Sequence, residues 1–163
     1  MVKRYNVLFL CTGHSARSIM AEAILNRKGR PNFIAYSAGS HPAGQVRPEA
    51  MRQIELARMP VENVRSKSWD EFAKPGAPRM DFVFTVCDNA AAEVCPVWPG
   101  QPMTAHWGVA DPAAAQGSPE QIERAFRDAF VILDRRISLF LALLLSTLDQ
   151  LEIKKEIDRI GLP

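Results

Sequence analysis

A chain of 163 residues lies near the modal size of one folding domain, and 47% hydrophobic with 23% charged residues is an ordinary globular balance that excludes wholesale disorder. A formal net charge of +2 is too small to draw the chain to nucleic acid or to a membrane surface by bulk electrostatics. Three cysteines cannot all pair within the chain, so at least one is left for something other than a disulfide framework.

The start, Met1 to Tyr5, is basic and short, with no small-residue cleavage site behind it, and no secretion signal is expected. Asn6 to Leu10 is an almost wholly apolar run ending at Cys11, the pattern of a central parallel strand buried on both faces. Ser18 to Lys28 then predicts a helix with Met20, Ala23, Ile24 and Arg27 along one stripe, stopped by Gly29 and Pro31. Asn32 to Ser37 is a second strand. Pro48 opens a helix in which Met51, Ile54 and Arg58 repeat before Pro60 ends it. Lys74 to Arg79, with Pro75, Gly76 and Pro78, is an irregular loop.

Asp81 to Cys87 resembles the first strand in kind, an apolar run terminating in a cysteine, and Met103 to Trp107 is a fourth strand. Gly108 to Gly117 forms a loop. Ser118 with Gln121 makes a capping-box pattern around Pro119, and Ile122, Phe126, Phe130, Leu133, Ile137, Phe140 and Leu144 mark one long amphipathic helix. A C-terminal helical extension is expected at about 148–163. The longest apolar run, Ile137 to Leu145, falls far short of the roughly 20 residues a spanning helix needs, so no membrane insertion is expected. The expected compartment is the reducing cytoplasm, where cysteines serve catalysis or redox chemistry more often than structure.

Strands alternating with helices predict an α/β fold: a single-domain three-layer sandwich, with a four-stranded parallel sheet and helices on both faces. Ligands of such sheets bind beyond the carboxyl ends of strands, where both Cys11 and Cys87 fall.

The sharpest feature is Cys11-Thr12-Gly13-His14-Ser15-Ala16-Arg17-Ser18, a Cys and an Arg with five residues between them, set between a strand and a helix. Such a turn directs backbone N–H groups inward at a helix N-terminus and cradles a tetrahedral oxyanion, while Arg17 adds a planar fork for two of its oxygens. The same positive surroundings are expected to lower the Cys11 pKa, and Ser18 to donate a hydrogen bond to the thiolate. Neither Cys87 nor Cys95 has an Arg six residues on. An acid for the departing oxygen is found in Asp111-Pro112, in a loop that can close over the ligand. His41 and His106 show no tight metal-ligand spacing with the cysteines, and no metal is expected. Trp98 and Trp107 read as packing residues, since no basic strip accompanies them.

The Cys-x5-Arg-Ser loop near the N-terminus, with a distant Asp-Pro, resembles the low-molecular-weight protein tyrosine phosphatase superfamily. Through CTGHSARS, Ser37-Ala38-Gly39-Ser40, Thr85-Val86-Cys87-Asp88, Cys95-Pro96 and His106-Trp107-Gly108 before Asp111-Pro112-Ala113, the chain resembles its arsenate reductase branch. The resemblance implies an oxyanion loop of Thr12, Gly13, His14, Ser15, Ala16 and Arg17. It also implies a relay in which Cys11 attacks arsenate, Asp111 protonates the leaving water, Cys87 attacks Cys11 to release arsenite, and Cys95 takes over Cys87. An external thiol, thioredoxin or glutathione with glutaredoxin, would then reduce the exposed pair. His14 stands where family loops commonly carry Asn, and offers either one hydrogen bond or a positive charge. A phosphatase would need only Cys11, Arg17 and Asp111, and would look for an aromatic beside the acid where Ala113, Ala114 and Ala115 stand. Phosphatase action on phosphotyrosine or small phosphate esters, and a non-enzymatic oxyanion-binding or redox-sensing role, are the alternatives.

Overall fold

A computed structural model of the chain describes residues 4–14, 16–60, 64–87, 98 and 101–162. Ser15 and Cys95 therefore lie outside the described residues. Strands β1 (Tyr5–Leu10), β2 (Phe33–Ala38), β3 (Phe82–Thr85) and β4 (Met103–His106) form one parallel sheet in the order β2-β1-β3-β4. β1 is central, as its continuous apolar run requires: Val7, Leu8, Phe9 and Leu10 have no solvent exposure.

Alternation along β1 splits the core in two. Val7 and Phe9 face a large cluster built with helices α1 (Arg17–Gly29), α2 (Pro48–Leu56), α3 (Pro119–Leu141) and α4 (Gln150–Ile160). Leu8 and Leu10 face a smaller cluster closed by Phe72, Met80 and Trp98. Phe72 belongs to a 3-10 helix at Trp69–Phe72, and Trp69 meets Trp98 edge to face. The sheet is thus covered on both sides, as the α/β sandwich expects.

The helix boundaries differ from the expected ones for local reasons. β3 ends at Thr85 rather than running on to Cys87, because the backbone N–H of Val86 turns to the Leu10 carbonyl and that of Val109 to the Val86 carbonyl. α2 stops at Leu56, where Arg58 takes up a left-handed φ of 59°. In α3, Phe126, Leu133, Ile137 and Phe140 are buried as the stripe predicts, but the helix ends at Leu141 and Leu144 is 70% exposed. The Ser118–Gln121 capping box forms in full. A second one, Asp149 with Glu152, opens α4.

α4 lies over β4, where the Trp107 indole donates to the Ile157 carbonyl at 2.9 Å and Lys154 Nζ bonds the Thr104 carbonyl. Gly161 closes the helix so tightly that any Cβ there would run into the His106 carbonyl and the Trp107 ring. Among the described residues no helix is long and apolar enough to cross a membrane.

At the centre of the helix-side core, Trp107 stacks on Phe84 with ring centroids 3.8 Å apart, and Phe140 meets both edge-on. Phe84→Ala removes one face of this stack and is expected to cost about 3–5 kcal/mol, lowering the melting temperature by on the order of 10 °C in a calorimetric scan.

Candidate active site

Cys11 follows the last residue of β1 and Cys87 follows β3 by two residues, so the adjacent parallel strands deliver two buried thiols to one end of the sheet. The backbone N–H of Thr12 donates to Cys87 Sγ at 3.3 Å, which seats Cys87 beside the Cys11 thiol. Ser18, fully buried in the first turn of α1, donates its hydroxyl to Cys11 Sγ at 3.4 Å. The carbonyls of Thr12 and Gly13 turn outward to accept from the N–H groups of His41 and Ala43. Because a trans peptide sets its N–H opposite its C=O, this turns the amides of Gly13 and His14 to the other side of the loop.

The expected lowering of the Cys11 pKa is corrected here. The neighbouring Cys87 sulfur, which favours keeping the proton on Cys11, and then burial push the Cys11 thiol well above the usual range, against the opposing pull of Ser18 and of the Arg17 charge. The physical reason is crowding: two thiols share one dry site, and ionising either one leaves a thiolate beside a partner that competes for the same donors.

Arg17, the first residue of α1, reaches across the loop instead of lying free. Its Nη1 donates to the Val109 carbonyl at 2.8 Å and its Nη2 lies 3.8 Å from Asp111 Oδ1. Asp111 is 45% exposed and caps the short 3-10 helix Pro112–Ala114 by accepting from the Ala113 N–H at 3.0 Å. The loop carrying the candidate acid is therefore tethered to the loop carrying Cys11.

Of the two roles open to His14, the structure selects the hydrogen bond. His14 is fully buried at a left-handed φ of 43°. Its Nδ1 accepts from the Lys67 backbone N–H at 2.7 Å, so in the neutral ring the proton sits on Nε2, which donates to Ser37 Oγ at 2.8 Å. Behind Ser37 stands Glu22, whose charged form Ser37 favours and which faces Lys67 Nζ at 3.9 Å. Burial pushes Glu22 up and Lys67 down, each countered by the other's charge, and burial with the nearby Lys67 and Arg65 cations lowers His14 to about 3. The imidazole is therefore neutral at working pH.

Sequence reasoning missed this ring of residues. Glu22 and Lys67 look like ordinary surface charges in sequence, yet Lys67 is only 8% exposed. Gly39 had a readable signal in the Ser37-Ala38-Gly39-Ser40 stretch. A Cβ there would come within 2.5 Å of the Cys11 carbonyl and 2.8 Å of the His14 Cβ, so only glycine lets β2 close on the loop.

Two predictions follow from these partners. Because His14 is depressed to about 3 in the native state against about 6.5 when unfolded, the unfolded chain binds the extra proton. Its contribution to stability is thus held above pH 6.5 and lost as the pH falls toward 3, at up to about 1.4 kcal/mol per pH unit. His14→Asn, which tolerates the left-handed backbone, is expected to flatten that slope in denaturant titrations at a series of pH values. Cys87→Ala removes the strongest influence raising the Cys11 pKa and is expected to move the pH midpoint of Cys11 alkylation by iodoacetamide downward.

The comparisons with known proteins agree with this geometry. The chain matches the family model "Low molecular weight phosphotyrosine protein phosphatase" over residues 6–155. It is 34% identical to an arsenate reductase of Halalkalibacterium halodurans over 134 residues, 82% of this chain and 93% of that one. Among solved structures, an arsenate reductase from Archaeoglobus fulgidus aligns with a TM-score of 0.61 at 24% identity, covering 81% of this chain and 98% of that one. A thioredoxin-dependent arsenate reductase of Corynebacterium glutamicum aligns with a TM-score of 0.55 at 21% identity, covering 84% and 63%. With the family match spanning most of the sequence and the relative sharing a third of its residues, the chain belongs to the low molecular weight phosphotyrosine protein phosphatase family, within the branch that holds the arsenate reductases.

Proposed function

We propose that this chain reduces arsenate to arsenite through a relay of Cys11, Cys87 and Cys95 in the cytoplasm. The observation that carries the reading is the seating of a second thiol, Cys87, on a backbone amide of the oxyanion loop and against Cys11. A phosphatase has no task for such a thiol.

An oxyanion entering the loop competes with Cys87 for the Thr12 amide and parts the two thiols. The strongest influence holding the proton on Cys11 is thereby removed. The loop amides from Thr12 to Ala16 and the Arg17 fork then hold the oxygens, and Ser18 steadies the thiolate. Cys11 attacks arsenic while Asp111 delivers a proton to the departing oxygen, which leaves as water and yields the thiol-arsenate adduct. Cys87 next attacks Cys11 Sγ. The sulfur–arsenic bond breaks with its electron pair passing to arsenic, arsenite leaves, and a Cys11–Cys87 disulfide remains. Cys95 attacks Cys87, restores Cys11 as a thiolate and presents a Cys87–Cys95 disulfide to an external dithiol. The fold likeness to a thioredoxin-dependent enzyme makes thioredoxin the first reductant to try, with glutathione and glutaredoxin the second.

The deciding experiment couples NADPH oxidation to arsenate through thioredoxin, or through glutaredoxin and glutathione. Wild type is expected to turn over with at least one system, and Cys87→Ser and Cys95→Ser to lose more than 100-fold, the scale set by removing a covalent participant. Asp111→Asn is expected to lose roughly 10²–10⁴-fold, the usual worth of a positioned general acid. Unchanged aryl-phosphate hydrolysis in both cysteine variants, with arsenate acting only as an inhibitor, would establish the phosphatase instead.

A further inference from the structure

α3 buries one stripe, Phe126, Ala129, Leu133, Ile137 and Phe140, against the sheet, and its opposite side carries three large apolar side chains in the open. Val131 is 59%, Ile132 41% and Leu139 47% exposed. A surface helix ordinarily sets charged and polar residues there. At about 100° per residue, the midpoint between Val131 and Ile132 points nearly away from the centre of the buried stripe.

The charges around that midpoint are arranged for a copy of the same helix. Glu123 is bridged to Arg52 at 3.0 Å and Asp134 to Lys28 at 2.5 Å, both within the chain. Arg136, half-buried, turns inward and donates to the Gly108 carbonyl at 2.7 Å. Asp128 and Arg135 are exposed, and among the described residues neither has an ion-pair partner. They stand about two helical turns apart, Asp128 as far before the midpoint as Arg135 is after it. When two such helices run antiparallel about a twofold axis through the midpoint, each residue before it meets the one equally far after it on the other copy. Val131 then lies against Ile132 of the second copy and Asp128 against its Arg135, and the symmetry makes each contact twice. Leu139 falls opposite Arg124, whose alkyl stem covers it while the charge stays in water. A parallel pairing would instead set Asp128 on Asp128 and Arg135 on Arg135, which like charges oppose. Four acidic and four basic side chains leave α3 without net charge, so two copies of it are not held apart.

We infer that the chain associates with a second copy of itself through this face of α3, as an antiparallel, isologous helix pair. None of the seam's side chains lines the cleft at Arg17, Cys87 and Asp111. One helix laid on one helix buries less than the about 800 Å² per partner of a standard stable interface, so the pair is expected to form at high micromolar chain and to separate on dilution.

Sedimentation velocity of the full-length, reduced chain tests this at loadings from about 5 µM to about 500 µM. Wild type is expected to pass from monomer to dimer across that range and to form nothing larger, because a twofold face is used up in the dimer. Asp128→Arg and Arg135→Asp each set like charges against each other and are expected to raise the dissociation midpoint at least about 10-fold. An equimolar mixture of the two variants restores an Arg opposite every Asp, and is expected to recover the dimer. Both positions face water, so each variant alone should melt within about 2 °C of wild type, which separates lost association from lost folding. A chain that stays monomeric at the highest loading overturns the inference and leaves the face to an unlike partner. A dimer indifferent to both charge reversals overturns it in favour of another surface, and variants that fail to recover on mixing overturn the antiparallel register.

Discussion

The site depends on holding one non-glycine residue in a left-handed backbone conformation. His14 cannot take a φ of 43° without cost, and the cost is met by the ring of residues around it, in which the imidazole accepts from Lys67 N–H and donates to Ser37 Oγ while Glu22 faces Lys67 Nζ at 3.9 Å. Every member is buried or half-buried, so each bond is formed in a medium where leaving it unmade is expensive. The ring touches neither sulfur. It sets the path of the backbone between Cys11 and Arg17, and through it the direction of the amides from which any oxyanion must hang. A neutral histidine serves because that arrangement needs one acceptor and one donor on a rigid plane, which the ring nitrogens supply in a fixed order.

A second constraint is the neighbourhood of β1 and β3. Two cysteines far apart in sequence meet because their strands pair in parallel register, Leu10 opposite Thr85, and both chains turn at the same edge. Their closeness explains why Cys11 is quiet in this state. On the relay proposed above, a nucleophile whose proton is retained by its own future partner would be protected from stray oxidants until an oxyanion separated the two. Activation and substrate binding then become one event. Under the same proposal Arg17 would work in the same way: its fork is engaged with the Val109 carbonyl and near Asp111, so an oxyanion drawing the guanidinium inward would also loosen the Asp111 loop from its tether.

Much of this was legible in the sequence, for reasons that can be stated. The apolar run into Cys11, the capping box at Ser118 and the stripe of α3 are local patterns, and local patterns survive in one dimension. The Cys-x5-Arg spacing carried the site because a strand, a tight turn and a helix N-terminus are consecutive in the chain. What escaped was set by contacts between distant segments. The neighbouring Cys87 thiol reversed the expected shift of the Cys11 pKa, and no local pattern around Cys11 reports a thiol 76 positions away. Glu22, Lys67 and Arg136 are charged residues whose burial is decided by what packs over them, and a helical or loop charge looks the same in sequence whether it faces water or a cavity.

The way α4 lies across β4 has a further consequence, for solubility. β4 is an edge strand, and an exposed row of backbone donors and acceptors is a template on which another chain can pair. Here Lys154 lies on the Thr104 carbonyl, and the end of the helix, through Gly161, is pressed onto His106. The terminal helix thereby shields the edge from intermolecular strand addition, and a chain lacking it would offer neighbouring molecules a bare strand beside the candidate active site.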